Sequence, residues 1–252
     1  MRFFIDLSYC GNQYNGWQSQ KKQSNSRCIQ QIIEETLFTL TREKHNIVGC
    51  GRTDAGVHAK HFMAHVDSSS QLDTKIFIDK CNKLLPLDIV IHHIFESEAA
   101  SHARFDAVSR SYVYKIHLEK TPFPELSFHY FYKKPDLANL NAAAQILLNY
   151  SDFFTFCKTR VDVKTTLCKI ESAYWVQIEE DKYEFHITAD RFLRGMVRLI
   201  VGMCLEVDRG KLTLATVQHS LENKIRLPRQ WSVPAIGLFL QQIKYPDSIK
   251  KM

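Results

Sequence analysis

The 252-residue chain lacks the long apolar run that a membrane span requires. A membrane helix needs about 18 to 20 consecutive apolar residues, and the most apolar stretch, residues 196–207, contains Arg198 and Glu206. The N-terminus holds no apolar region long enough for a signal peptide, because Asp6 interrupts it. We therefore expect a cytoplasmic protein that does not associate with membranes.

Paired cysteines and glycine-rich nucleotide loops are also missing. The seven cysteines are scattered and form no C-x-x-C pair, which argues against a disulfide framework and against a zinc ribbon. The motifs G-x-G-x-x-G, G-x-x-x-x-G-K-[ST] and G-x-S-x-G do not occur. Their absence disfavours dinucleotide enzymes, P-loop nucleotide hydrolases and α/β-hydrolases.

The composition is that of a folded globular protein with a small excess of positive charge. Hydrophobic residues make up 45% of the chain and charged residues 24%, a balance that excludes disordered, collagen-like and coiled-coil proteins. The length suggests two modest lobes. Lys and Arg outnumber Asp and Glu by 33 to 27, and the resulting charge of +6 mildly favours a polyanionic partner.

Hydrophobic periodicity predicts the element order β-α-β-β-α-β twice along the chain. In the first half we expect strands near 3–9, 46–50, 61–67 and 88–95, a helix capped by Asn25 or Ser26 after an exposed loop at 19–26, and a helix near 74–84. In the second half we expect strands near 111–118, 170–178, 183–189 and 236–243, helices after Asp136 and at 191–206, a short helix at 213–222, and a long loop at 118–135.

This order predicts an α+β fold of two ferredoxin-like (βαββαβ) lobes. The boundary between the lobes is expected near residues 100–110. We therefore divide the chain into an N-terminal lobe, 1–105, and a C-terminal lobe, 106–252.

The loop at 49–59 is the first segment that can carry chemistry. Gly51 and Gly56 bracket Asp54, and Arg52 lies two positions before it. Glycines allow a loop to hold a side chain outward at a cleft. The alternative is an ordinary turn in which Asp54 bonds its own backbone.

Three arginines on the apolar segment 191–206 form a second candidate. On one continuous helix, Arg191, Arg194 and Arg198 would lie within roughly 60° of each other, as a cationic stripe that needs a carboxylate, phosphates or carbonyls. The alternative is three side chains that extend to solvent at one edge.

An aromatic pair on a predicted strand forms a third candidate. Tyr112 and Tyr114 share a strand face and follow Arg104 and Arg110, a pattern that suits base stacking and phosphate contact. The alternative places both tyrosines in the core.

Three closely spaced histidines could also ligate a metal ion. They are His58, His61 and His65. Neither a cysteine nor an obvious fourth ligand lies near them in the sequence, so we expect ordinary polar histidines and no metal.

Taken together, the motifs resemble those of the TruA family of tRNA pseudouridine synthases along the whole chain. The matching segments are Tyr9–Gly11, Tyr14–Gln20, Gly51–Ala59, Asn82–Pro86, His102–Ala107, Arg110–Tyr114, Asp152–Phe156, Phe192–Arg198, Ile200–Gly202 and Ala235–Leu240. The chain departs from the family at His61 and Phe62, where a small residue and a glutamine are common, so contacts there are expected to differ.

The resemblance implies isomerisation of uridine to pseudouridine in the anticodon stem-loop of tRNA, at positions 38, 39 and 40. It also implies the pseudouridine synthase fold, in which the two lobes share an extended, mostly antiparallel sheet, and a homodimer that holds the tRNA jointly and uses no cofactor or metal. By position, Asp54 is the catalytic aspartate, Tyr112 stacks on the target base, Arg198 is the basic partner of Asp54, Arg52 and Arg104 serve RNA binding or base extrusion, and Arg191 and Arg194 lie nearer phosphates.

The chemistry leaves several routes open. A carboxylate can attack the sugar C1′, act as a base at C2′, or add to C6 of the base. Two other functions also stay open: a non-catalytic tRNA-binding protein or chaperone on the same scaffold, and a small-molecule enzyme of ferredoxin-like fold. The carboxylate of Asp54 argues against pure binding, because it would repel phosphates.

Overall fold

The computed structural model describes residues 1–18, 27–69, 73–122, 126–158 and 165–249, and it is a mixed α/β structure. The chain divides into two compact units, Met1–Val108 with Leu240–Met252, and Ser109–Phe239. The lobes 1–105 and 106–252 stay a prediction, and the units differ from them by grouping Leu240–Met252 with the N-terminal part. Among the described residues, each helix is too short or too polar to span a bilayer.

Four strands and two helices form most of the first unit. In chain order its elements are β1 (Arg2–Tyr9), α1 (Ile29–Thr41), β2 (Val48–Gly49), β3 (His58–Asp67), α2 (Thr74–Leu84) and β4 (Ile89–Ser97). Strand β1 pairs antiparallel with β3 on one side and β4 on the other, while β2 pairs antiparallel with β3. Alternate residues of β1, such as Phe3 and Ile5, line one small cavity together with Leu37 of α1 and Phe77 of α2, so both helices lie over this face of the strand.

The start of α1 differs from the prediction. The residue at its N-cap is Cys28, whose side chain makes no capping bond, not Asn25 or Ser26. The backbone N–H groups of Ile29 and Gln30 instead donate to the carbonyls of Gly16 and Trp17, at 3.2 and 3.0 Å. A segment distant in the sequence thus satisfies the first donors of the helix. The loop predicted at 19–26 lies outside the described residues.

The second unit contains most of the remaining elements. They are β5 (Ser109–His117), β6 (Phe128–His129), α3 (Leu137–Ile146), β7 (Ile170–Glu179), β8 (Lys182–Ala189), α4 (Met196–Asp208), α5 (Leu214–Glu222) and the first two residues of β9 (Leu238–Lys244). Strand β8 pairs antiparallel with β5 and β7, and β6 pairs parallel with β5. The short strand β6 falls in the predicted loop 118–135, because two residues are too few to show a periodicity.

The helix predicted at 191–206 begins five residues late. Helix α4 starts at Met196, after Gly195 in the left-handed conformation with φ of 71°. The Asp190 carboxylate accepts the backbone N–H of Arg191 at 2.6 Å and so supports a non-helical approach to α4. The predicted stripe of three arginines on one helix face is therefore wrong: only Arg198 lies on α4, while Arg191 and Arg194 precede it.

Candidate active site

The loop between β2 and β3 carries Arg52 and Asp54. Arg52 is exposed and Asp54 is half-buried. Between them, Thr53 is buried, and its hydroxyl shares a hydrogen bond of 2.9 Å with the hydroxyl of Tyr9. The residue before Asp54 is thus anchored in the core of the first unit, while its neighbours stay accessible.

The backbone on both sides of Asp54 is hydrogen-bonded to residues 14–17. The N–H of Trp17 donates to the carbonyl of Thr53 at 3.3 Å, and the N–H of Gly56 donates to the carbonyl of Tyr14 at 3.2 Å. We call this pair of bonds the loop brace. It fixes the direction in which the chain presents the carboxylate.

Glycine is required where the two segments approach each other. Gly16 has a φ of +86°, and a Cβ there would lie 2.3 Å from the Thr53 carbonyl oxygen. A Cβ on Gly11 would lie 2.0 Å from the carbonyl oxygen of Val57. The glycines in the segments Tyr9–Gly11 and Tyr14–Gln20 therefore permit the contact that holds the loop. Of the two loop glycines, Gly56 is favoured by its backbone conformation, with a positive φ of 78°. Gly51 is not required by close packing, because nothing lies within 4 Å of a Cβ placed there.

Side-chain contacts of Trp17 and Tyr14 support the loop brace. The Trp17 ring stacks on the buried Phe62 ring with centroids 4.1 Å apart. The Tyr14 hydroxyl donates to the Asp88 carboxylate, and burial together with that carboxylate raises the pKa of Tyr14. Phe62 thus contributes an aromatic contact to the base of the loop.

The three histidines accept backbone hydrogen bonds. The Nδ1 atoms of His58, His61 and His65 accept from Gly11, Ile243 and Ala103, each at 3.1 Å. Burial, together with the Arg2 charge, lowers the pKa of His65 to about 4. In the part of the chain that the structure describes, no group of three or more His, Cys, Asp or Glu is placed to hold a metal ion.

Arg104 lies on the exposed loop that follows β4. Its guanidinium is 5.8 Å from the ring centroid of Phe105, which is 75% exposed. The loop is held by His102, whose Nδ1 accepts the N–H of Arg104 at 3.1 Å. A cation and an aromatic face are thus presented to solvent side by side.

In the second unit, Tyr112 and Tyr114 lie on β5 in different environments. Tyr112 is half-buried, and its ring meets that of Phe192 edge to face at 5.2 Å. Tyr114 is fully buried, and its hydroxyl donates to the carbonyl of Pro234 at 2.8 Å. Burial raises the pKa of Tyr114, and the nearby Arg198 charge opposes this effect. Only Tyr112 of this pair keeps a surface for a ligand.

Arg198 is half-buried on α4 and is bonded to backbone. Its Nε donates to the carbonyl of Val233 at 2.6 Å, and the N–H of Val233 donates to the carbonyl of Arg198 at 3.4 Å. Arg191 donates to the carbonyl of Thr165 at 3.5 Å, and Arg194 is exposed. Periodicity could not identify the role of Val233, because a backbone carbonyl has no sequence signal.

Comparison with known proteins gives one consistent result. A family model described as tRNA pseudouridine synthase matches residues 143–246. Proteins named tRNA pseudouridine synthase A are 42% identical in Porphyromonas gingivalis (98% of both chains) and 44% identical in Parabacteroides distasonis (98% of this chain, 97% of the relative). The chain belongs to the tRNA pseudouridine synthase family. A third relative of that name, from Bacteroides thetaiotaomicron, is 42% identical over 98% of this chain and 92% of its own.

Each unit, taken by itself, presents some of the residues in the matching segments. The first provides a carboxylate on a braced loop, Asp54, with exposed cations at Arg52 and Arg104. The second provides a partly exposed aromatic ring at Tyr112 and an oriented guanidinium at Arg198.

Proposed function

We propose that this chain isomerises uridine to pseudouridine in the anticodon stem-loop of tRNA, at positions 38, 39 and 40. Membership of the tRNA pseudouridine synthase family supports the reaction and the substrate. The loop brace is the observation that carries the assignment of the site, because it fixes the backbone on both sides of one carboxylate, Asp54.

Asp54 is the proposed catalytic residue. Isomerisation breaks an N-glycosidic bond and forms a carbon–carbon bond to the same base, and a carboxylate assists at C1′, at C2′ or at C6 of the base. Arg198 is the proposed basic partner of Asp54. A guanidinium stabilises the ionised form of a carboxylate, which is the form that assists the reaction.

The remaining residues are proposed to bind and extrude the target nucleotide. Taking a base out of its stack costs a few kcal/mol, and stacking on the accessible ring of Tyr112 returns part of that free energy. Arg52 and Arg104 serve RNA binding or base extrusion, and both are exposed. Arg191 and Arg194 are assigned to phosphates.

The proposed architecture is two ferredoxin-like lobes that share an extended, mostly antiparallel sheet. The order β-α-β-β-α-β of the first unit supports this assignment. We further propose a cytoplasmic homodimer that needs no cofactor or metal. Light scattering that finds a single 29.3 kDa chain at working concentration would contradict the dimer.

The test is nucleotide-resolved mapping of pseudouridine in an unmodified tRNA transcript. The transcript carries uridine at positions 38, 39 and 40 and elsewhere, and matched transcripts carry cytidine at each of the three positions in turn. We expect conversion at these three positions and at no other. Conversion elsewhere would refute the positions, and salt-sensitive tRNA binding without conversion would support the binding-protein alternative.

A further inference from the structure

One irregular segment, residues 229–234, runs along the face of α4 that carries Arg198; we call it the strap. The helix residues that meet it are four apart, Arg198, Gly202 and Glu206, and their strap partners are two apart, Val233, Trp231 and Arg229. Four helical residues advance about 6 Å and two extended residues about 6.6 Å. The contacts therefore stay in register over two turns of the helix, with the strap antiparallel to it.

The middle contact depends on the absence of a side chain. A Cβ on Gly202 would lie 1.8 Å from the carbonyl oxygen of Trp231. Glycine inside a helix costs about 1 kcal/mol relative to alanine. At Gly202 this cost is offset by the close approach of the strap, which no other residue permits.

The far contact is an ion pair between a buried carboxylate and an arginine that is 55% exposed. The carboxylate of Glu206 is 2% exposed and pairs with Arg229 of the strap. Its other oxygen accepts from Arg209 at 2.7 Å. Arg209 and Arg229 thus both compensate the buried charge of Glu206, and the contact with Arg229 ties the beginning of the strap to α4.

The near contact orients Arg198. The carbonyl of Val233 accepts from Nε of Arg198, and the next carbonyl, that of Pro234, accepts from the buried hydroxyl of Tyr114. Because a guanidinium is planar, fixing Nε sets the direction of both remaining nitrogens. The strap is thus hydrogen-bonded both to Arg198 and to Tyr114, a buried residue of β5.

We propose that Glu206, Arg229 and Gly202 are positioning residues that orient the guanidinium of Arg198 through the strap. This inference rests on the proposed role of Arg198 in the isomerisation. Glu206 lies eight residues from Arg198, about 12 Å along the helix axis, and we infer that it acts on it through the carbonyl of Val233.

Steady-state kinetics on a tRNA transcript test the proposal with a matched charge control. Arg229→Gln and Gly202→Ala should each lower kcat about tenfold and leave KM for tRNA within about twofold, because orientation and not binding is lost. Arg226→Gln removes the same charge from a residue that lies over the Phe154 ring, and it should keep the wild-type kcat. Arg229→Lys retains the charge and should recover most of the lost kcat.

The competing outcomes are distinct. A kcat that is unchanged in both Arg229→Gln and Gly202→Ala would overturn the proposal. So would an equal rise of KM in Arg229→Gln and Arg226→Gln with no effect on kcat, since Arg229 would then be only a contact to phosphate.

Hydrogen exchange of the Arg198 Nε–H by NMR gives a second readout that does not depend on activity. Its signal is identified by its loss in Arg198→Lys. Exchange should be slow in the wild type and in Arg226→Gln, and at least about tenfold faster in Arg229→Gln and Glu206→Gln. Unchanged exchange in these two variants would refute the proposal that the strap orients Arg198. A wild type that makes no pseudouridine would refute the proposed function alone.

Discussion

Among single residues, Gly16 has the strongest influence on where Asp54 lies. It combines a left-handed backbone with a contact to Thr53 that leaves no room for a methyl group. The N–H of the next residue, Trp17, makes one of the two bonds of the loop brace. A change at Gly16 therefore acts on the loop without altering any of the side chains proposed to act on the substrate.

We expect Gly16→Ala to lose both stability and activity. The left-handed conformation costs alanine about 1 to 2 kcal/mol, and the clash with the Thr53 carbonyl adds to it, so the free energy of unfolding should fall by about 2 to 4 kcal/mol. Displacement of Asp54 should lower kcat about 100-fold. Denaturant unfolding and tritium release measure the two effects. Gly51→Ala, whose methyl group meets no atom within 4 Å, should unfold like the wild type; equal losses in both variants would contradict the argument.

His65 should make the protein sensitive to acid. Its pKa in the folded state is about 4, below the ordinary 6.5. As the pH falls below 6.5, the unfolded state therefore binds more protons than the folded state. The stabilisation is complete above about pH 6.5 and is lost as the pH approaches 4. Between pH 7 and pH 5 this residue should lower the free energy of unfolding by about 2 kcal/mol.

The measurement is denaturant unfolding at both pH values. His65→Gln should show a smaller loss by that amount, because glutamine keeps an acceptor for the Ala103 N–H but does not titrate. His92→Gln, a change at an exposed histidine, should behave as the wild type. If His65→Gln and the wild type lose equal stability, the interpretation is wrong.

At the scale of elements, each unit ties a helix to the backbone of a strand through an asparagine. Asn82 of α2 accepts from the N–H of Ile91 and donates to its carbonyl, at 2.9 and 2.8 Å. Asn141 of α3 does the same with Trp175, at 2.8 and 3.0 Å. Among the described strands, β4 pairs only with β1 and β7 only with β8, so these amides cover backbone groups of strands with one partner.

Asn141→Ala should lower the free energy of unfolding by about 2 kcal/mol. The change removes three hydrogen bonds, one of them to the Leu137 carbonyl within α3, and leaves the N–H of Trp175 without its acceptor. Denaturant unfolding checks the value, with Asn149→Ala, an exposed position nearby, as the control that should cost under about 0.5 kcal/mol. A loss no larger than that of the control would show that the amide contributes nothing to the attachment of α3.

The sequence predicts a helix or a strand well where the hydrophobic periodicity extends over many residues. The bounds of α2 match the predicted 74–84, and the strands at 170–178 and 183–189 are each within one residue of β7 and β8. The start of α4 could not be predicted, because the apolar residues at 192 and 193 continue the helical pattern. The left-handed Gly195 and the bond from Arg191 to the Asp190 carboxylate depend on tertiary structure.

At the scale of the whole molecule, the sequence motifs identify the candidate site residues. They do not identify the groups that hold those residues in place. Asp54, Tyr112 and Arg198 are assigned by their positions in the matching segments. The supports of Asp54 and Arg198 are mostly backbone groups, such as the carbonyls of Tyr14 and Val233. Such groups carry no residue-specific pattern, so only the folded chain reveals them.

Tritium release from tRNA labelled at uridine C5 tests the central claim most directly. We expect release by the wild type, and release below about 1% of that rate from Asp54→Asn, with tRNA affinity and the thermal midpoint of unfolding preserved. Asp79→Asn makes the same change at an exposed position of α2, and it should release tritium at the wild-type rate. Substantial release by Asp54→Asn would contradict the account and remove Asp54 from the centre of the reaction.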